Sequence, residues 1–185
     1  METYLAHNPH GHPAAHTIDE VAYRYYPTRI LATLSAAGVR VIPLSQTTTY
    51  TAASPALRRL TASVDHWPRP PAGLFVVEER TVYLRSLSSM TIVHELAHAL
   101  DLALGGGVYL SGFDPAIRRA FRDARAFVTP YAASALDEYF AECVRAYVEA
   151  NDPRSPWPRA TRARLKALDP AMHAIVSAMF AQSAA

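Results

Sequence analysis

A chain of 185 residues, half of them apolar and 18% charged, is long enough to bury one sizeable core. A formal charge of +2 is too small to imply a nucleic-acid partner by itself, and a lone cysteine, Cys143, excludes an internal disulfide. No apolar run reaches the length of about 18 residues that a transmembrane helix needs, and the first ten residues lack the basic and apolar regions of a signal peptide. The expected setting is the cytoplasm, export by another route, or a longer natural chain.

Residues 1–16 hold His7, His10, His12 and His16 together with Pro9 and Pro13. They read as an irregular arm ahead of a single domain over 17–185. Thr17-Ile-Asp-Glu20 has the spacing of a capping box and should open a helix that Pro27 ends or kinks. A second helix is expected from Thr28 to Ala37, with Ile30, Leu31 and Leu34 on one face. Gly38 should stop it, and Val39 to Ile42 reads as a strand. Ser54-Pro55 should start a short helix running to about Val64.

Trp67-Pro-Arg-Pro-Pro71 is a loop. Leu74 to Val77 and Thr81 to Leu84 are β-rich and separated by Glu78-Glu-Arg80, the pattern of a hairpin. A free strand edge in this position can pair with an extended peptide, an expectation that rests on position.

The run from Met90 to Leu104 is apolar and free of Gly and Pro. Ser88 or Ser89 can cap its start, and Gly105-Gly106-Gly107 can end it. Inside it stands His94-Glu-Leu-Ala-His98. Positions i and i+4 share a helix face, so both imidazoles can reach one ion, while Glu95 can take a proton from water. This is the H-E-x-x-H pattern of zinc peptidases. The competing account is a pair of core histidines satisfied by backbone carbonyls, but burying two His and a Glu without a partner is costly.

Beyond the triple glycine the chain reads as helical. Asp114-Pro115 should cap one helix to about Val128, residues 135–150 form the next, and further helices are expected over 158–168 and 170–182. Strands in the first half and helices in the second make the fold α+β with a small sheet.

A catalytic zinc site wants a third protein ligand. Position 104 is Leu, so the longer metzincin motif is absent. Asp101 shares the helical face of His94 and His98 and is better placed to orient an imidazole or a neighbour than to ligate. The later segment offers Asp137, Glu138, Glu142 and Glu149. Glu138 and Glu142 share a face, so one can sit on the metal and the other on a ligand histidine, unless both belong to a solvated acidic stripe.

These residues together, His94-Glu-Leu-Ala-His-Ala-Leu-Asp101, then Tyr131, then Glu138-Tyr-Phe-Ala-Glu142, resemble the catalytic domain of anthrax lethal factor and the related Pro-Pro endopeptidases. The resemblance spans about 94–150 and implies a zincin-like metallopeptidase domain of the gluzincin type. It implies Glu138 as third zinc ligand beside His94 and His98, Tyr131 facing the metal and assisting the tetrahedral intermediate, and Asp101 in its usual place. On that reading Glu95 is the general base, Asp101 and Glu142 support the ligands, and the substrate is a peptide or protein.

Two other classes compete. A catalytically inactive or latent zinc-stabilised binding module would need neither Glu95 nor Tyr131, and structural zinc sites favour four protein ligands. A nucleic-acid binder would use Arg118, Arg119, Arg122, Arg125 and the stretch from Arg159 to Lys166, but those spacings fit ordinary exposed helix faces, and Asp123 dilutes the first group.

Overall fold

The computed structural model describes residues 13–181 except Ala62 and Trp157. His7, His10 and His12 lie outside the described residues. Helix α1 covers Pro13–Tyr25. It starts before the expected capping box and takes in the last residues assigned to the arm, His16 included. The cause is packing: Ala14, Ala15, Ile18, Val21 and Ala22 are all buried, a helical stripe that extends upstream of Thr17. Helix α2, Thr28–Ala36, buries Ile30, Leu31 and Leu34. Gly38, at φ 74°, turns the chain into strand β1, Arg40–Pro43.

The helix expected from Ser54 to Val64 does not form. Instead a short helix α3, Tyr50–Ala53, is followed by two 3-10 turns at Leu57–Arg59 and Val64–His66. None of the described residues from Pro55 to Trp67 is fully buried, and only Ala56, Leu57 and Val64 pack partly against the Tyr50 cluster, too little to support a longer helix. Side chains hold the segment: Asp65 accepts from the N–H groups of Tyr50 (2.8 Å) and Thr51 (2.9 Å), and Glu79 accepts from Ser54 Oγ (2.9 Å) and Ala56 N (2.7 Å).

Strands β2, Gly73–Val76, and β3, Thr81–Leu84, form the expected hairpin. Its turn ends on Arg80, at φ 49°. The sheet order is β1-β3-β2, with β1 parallel and β2 antiparallel to β3. The central strand β3 is buried along its whole length because both faces are covered. Val41, Phe75, Val82 and Leu84 join the main helical core. Val76 and Tyr83 face the other way, onto Tyr50.

Helix α4, Ser89–Leu104, runs through the centre, with Ser88 as its N-cap accepting from Thr91 N. It is buried on nearly every side, which explains its almost unbroken apolar sequence. Tyr26 ties the first helical layer to it by donating to the Val93 carbonyl (2.8 Å). Helices α5 (Leu110–Phe113) and α6 (Pro115–Asp123) follow, the latter capped by Asp114. Helix α6 ends before Val128 for a packing reason. Phe121 and Phe127 both meet Tyr139, with ring centroids 5.3 and 5.9 Å away. Residues six apart point about 120° apart on a continuous helix, so the chain bends to bring both inward. Helices α7 (Leu136–Val148), α8 (Arg162–Leu168) and α9 (Pro170–Ala181) complete a helical second half. The architecture is α+β with a three-stranded sheet in the first half, and Cys143 is packed in the core of α7.

Asp65 links α3 to the sheet through Arg85, whose Nη2 lies 2.6 Å from its carboxylate. Burial works against its charge, but bonds from Thr51 and Tyr50, aided by Arg85, outweigh it and lower its pKa to about 2. The stability it contributes is therefore fully present above its ordinary pKa of 3.8 and lost as pH falls through about 2. Asp65→Asn should lower the unfolding free energy by about 1–2 kcal/mol at pH 7 in urea titrations, with the deficit vanishing in strong acid.

Candidate metal centre

Helix α4 sets His94 and His98 one turn apart, with their Nε2 atoms 3.1 Å from each other. The first turn of α7 brings Glu138 onto the same point. Its Oε2 lies 3.1 Å from His94 Nε2 and 3.4 Å from His98 Nε2. Around a tetrahedral zinc with bonds of 2.0–2.1 Å, neighbouring donors stand about 3.3–3.4 Å apart, so this triangle has the size of one face of such a site. Glu138 Oε2 is buried and has no hydrogen-bond partner, as is His98 Nδ1. A buried carboxylate oxygen facing two imidazoles without a hydrogen bond is the arrangement a cation resolves. His94, His98 and Glu138 together could hold a metal ion.

Glu142, one turn further along α7, is spoken for. Its Oε1 meets His94 Nδ1 (3.0 Å) and Arg145 Nε (2.8 Å); its Oε2 meets Arg145 Nη2 (2.7 Å) and Thr129 Oγ1 (2.5 Å). Four bonds match the four acceptor positions of a carboxylate. Glu138 is the reverse case: Tyr131 donates to Oε1 (2.7 Å) and Oε2 stays free. The geometry thus divides the two carboxylates that share a face, leaving Glu138 with an oxygen for an ion and Glu142 to orient His94.

Charge follows the same pattern. Burial would raise the pKa values of Glu138 and Glu142, but the facing imidazoles of His94 and His98 for Glu138, and His94 and Arg145 for Glu142, hold both well below the usual carboxylate range. Burial would likewise lower His94, but the carboxylates of Glu138 and Glu142 beside it raise it to about 10. The cluster calls for positive charge, which a proton or a divalent cation supplies.

Glu95 points from α4 toward β2. It is buried, and burial pushes its pKa up, partly offset by His94, His98 and a hydrogen bond from the Phe75 backbone N–H. Tyr131 lies in a 3-10 turn, its ring 5.7 Å from that of His94 and its edge open to solvent. Asp101 does not reach an imidazole. It is buried and accepts from both Ser111 N (2.8 Å) and Ser111 Oγ (2.5 Å), pinning α5 against α4. That anchor fixes the neighbouring Tyr109, whose ring stands 6.1 Å from His98.

Four residues here escaped the sequence reading: Thr129, Arg145, Tyr109 and Gly73. Arg145 left a signal, being a cation three residues after Glu142 in an apolar stretch. Tyr109, after three glycines, left none.

No protein-family model matches the chain, and the search of curated proteins gave no match. Among solved structures, the fold is similar to that of the Pro-Pro endopeptidase PPEP-2 from Paenibacillus alvei, at a TM-score of 0.65 and 23% identity, over 95% of this chain and 97% of that one. The likeness covers the sheet and helices alike, so the α+β fold is that of a Pro-Pro endopeptidase structure.

Removing Arg145 would leave Glu142 buried with half its bonds. Arg145→Ala should destabilise the protein by about 3–5 kcal/mol, measured by denaturant unfolding.

Proposed function

We propose that the protein is a zinc-dependent endopeptidase, a gluzincin-type zincin akin to the lethal factor catalytic domain and the Pro-Pro endopeptidases. The observation that carries this reading is the triangle of His94, His98 and Glu138, with an unsatisfied carboxylate oxygen facing two imidazoles. Three protein ligands, rather than four, leave a position open, as catalytic zinc sites do. A structural site in a binding module gains nothing from that opening.

When bound, zinc supplies a water acidified to a pKa of about 7 and a Lewis acid for the scissile carbonyl. His94, His98 and Glu138 hold it. Glu95 accepts the proton of the attacking water and passes it to the leaving amine. Tyr131, freed from Glu138 Oε1, donates to the developing oxyanion. Glu142 keeps His94 turned toward the metal and sharpens its basicity.

Strand β2 supplies the peptide-binding edge. Just before it, Ala72 O accepts from Arg85 N (2.9 Å). Antiparallel alternation then turns the N–H and C=O groups of Gly73 and Phe75 away from β3. These Gly73 and Phe75 groups face the edge along which an extended substrate can align.

Cleavage of a diverse peptide library, read by mass spectrometry, tests the proposal. Wild type should cut, and Glu95→Ala should lose about 10²–10⁴-fold in turnover while keeping its zinc. Tyr131→Phe should lose about 10²–10³-fold in kcat. His94→Ala and Glu138→Ala should lose zinc by elemental analysis. Normal cleavage by Glu95→Ala, or full zinc in both ligand variants, would overturn the assignment.

A further inference from the structure

Glu95 stands on α4, but the strand beside it determines where its side chain can lie. Gly73 opens β2, is buried, and faces α4. A Cβ placed on it would stand 2.6 Å from Glu95 Cγ, 3.0 Å from Glu95 Cδ and 2.8 Å from Thr91 Cγ2. Non-bonded carbon atoms prefer about 3.5–4.0 Å, so something would have to move. The backbone itself does not require glycine here, because the glycines at positive φ are Gly38, Gly106 and Gly107. Space is what this glycine provides. Two residues on, the Phe75 backbone N–H favours the charged form of the carboxylate that occupies that space.

We infer that Gly73 is a positioning residue for Glu95: the side chain it lacks is the room in which the general base lies, and a larger residue displaces the carboxylate from its place beside β2. The inference rests on reading Glu95 as the base. Glu95 moves before Thr91 does. Thr91 is held by the helix cap, its Oγ1 3.0 Å from Ser88 Oγ and its N–H bonded to the same oxygen. Glu95 has rotatable torsions and carries the two crowded atoms Cγ and Cδ. The strand therefore acts on the reaction through a helix residue, setting the distance between base and attacking water, where an error of an ångström costs about 100-fold.

The test uses Gly73→Ala in the zinc-loaded protein, with Gly73→Ala/Thr91→Ser as the companion that relieves the Thr91 contact and keeps the fold secure. Two quantities are read: kcat against KM, and the Phe75 amide resonance by NMR, with Glu95→Ala marking the unbonded position. In both variants kcat should fall at least about ten-fold with KM nearly unchanged and zinc content kept, while the Phe75 amide moves toward its position in Glu95→Ala. A Phe75 amide that stays at its wild-type position, or a kcat that survives the shift of that amide, overturns the inference. Failure of the peptidase reading looks different: wild type itself would cleave nothing, and the amide shift would still report whether Gly73 places Glu95.

Discussion

Glu142 lies between the two helices that carry the candidate ligands, and its negative charge is buried. An isolated carboxylate could not stay ionised there. It does so because Arg145, one turn along, forks onto both of its oxygens and Thr129 adds a third donor. The fourth bond is to His94 Nδ1, which fixes the ring so that Nε2 faces Glu138. The α4–α7 interface is therefore both packing and electrostatics. Apolar burial along both helices brings them together, and the Glu142 cluster ties them across the seam.

The sheet makes the second constraint. β3 is covered on both faces, so β2 must offer one side to α4 and the other to Tyr50. The period of two along β2 then puts Gly73 and Phe75 on the α4 side. A bulky residue at either end of that face fills the core or blocks Glu95, and the chain uses one of each: Phe75 to pack, Gly73 to leave room. The same alternation frees the edge that an extended peptide would need. Core packing, the room beside Glu95 and the free sheet edge follow from one four-residue strand.

Much of this was legible in the sequence because it rests on local periodicity. The α4 helix, its Ser88 cap and the i, i+4 pair of histidines follow from residues within one segment. The β2–β3 hairpin follows from two β-rich runs with a short separator. Readings failed where tertiary packing overrode local signals. The capping-box spacing at Thr17 lost to a buried stripe that begins at Ala14. The Ser54-Pro55 start signal led to no long helix, because the segment is only partly covered and buries too little to support one. Asp101, expected to orient an imidazole or a neighbouring group, takes the second course and holds Ser111, which reaches it after a triple-glycine turn that no spacing rule anticipates.

The division between Glu138 and Glu142 shows how close the sequence came. Sharing a face left open which carboxylate meets a metal and which meets a histidine. Arg145 separates the two carboxylates by spacing: it is three residues from Glu142, within reach on a helix, and seven from Glu138. A carboxylate gripped by a guanidinium fork has its lone pairs committed, so the partner without an arginine keeps the open oxygen. In Glu138 that oxygen is the buried Oε2 between His94 and His98. The cation that decides the arrangement is thus an arginine in the helix, present in the sequence beside the acidic pair.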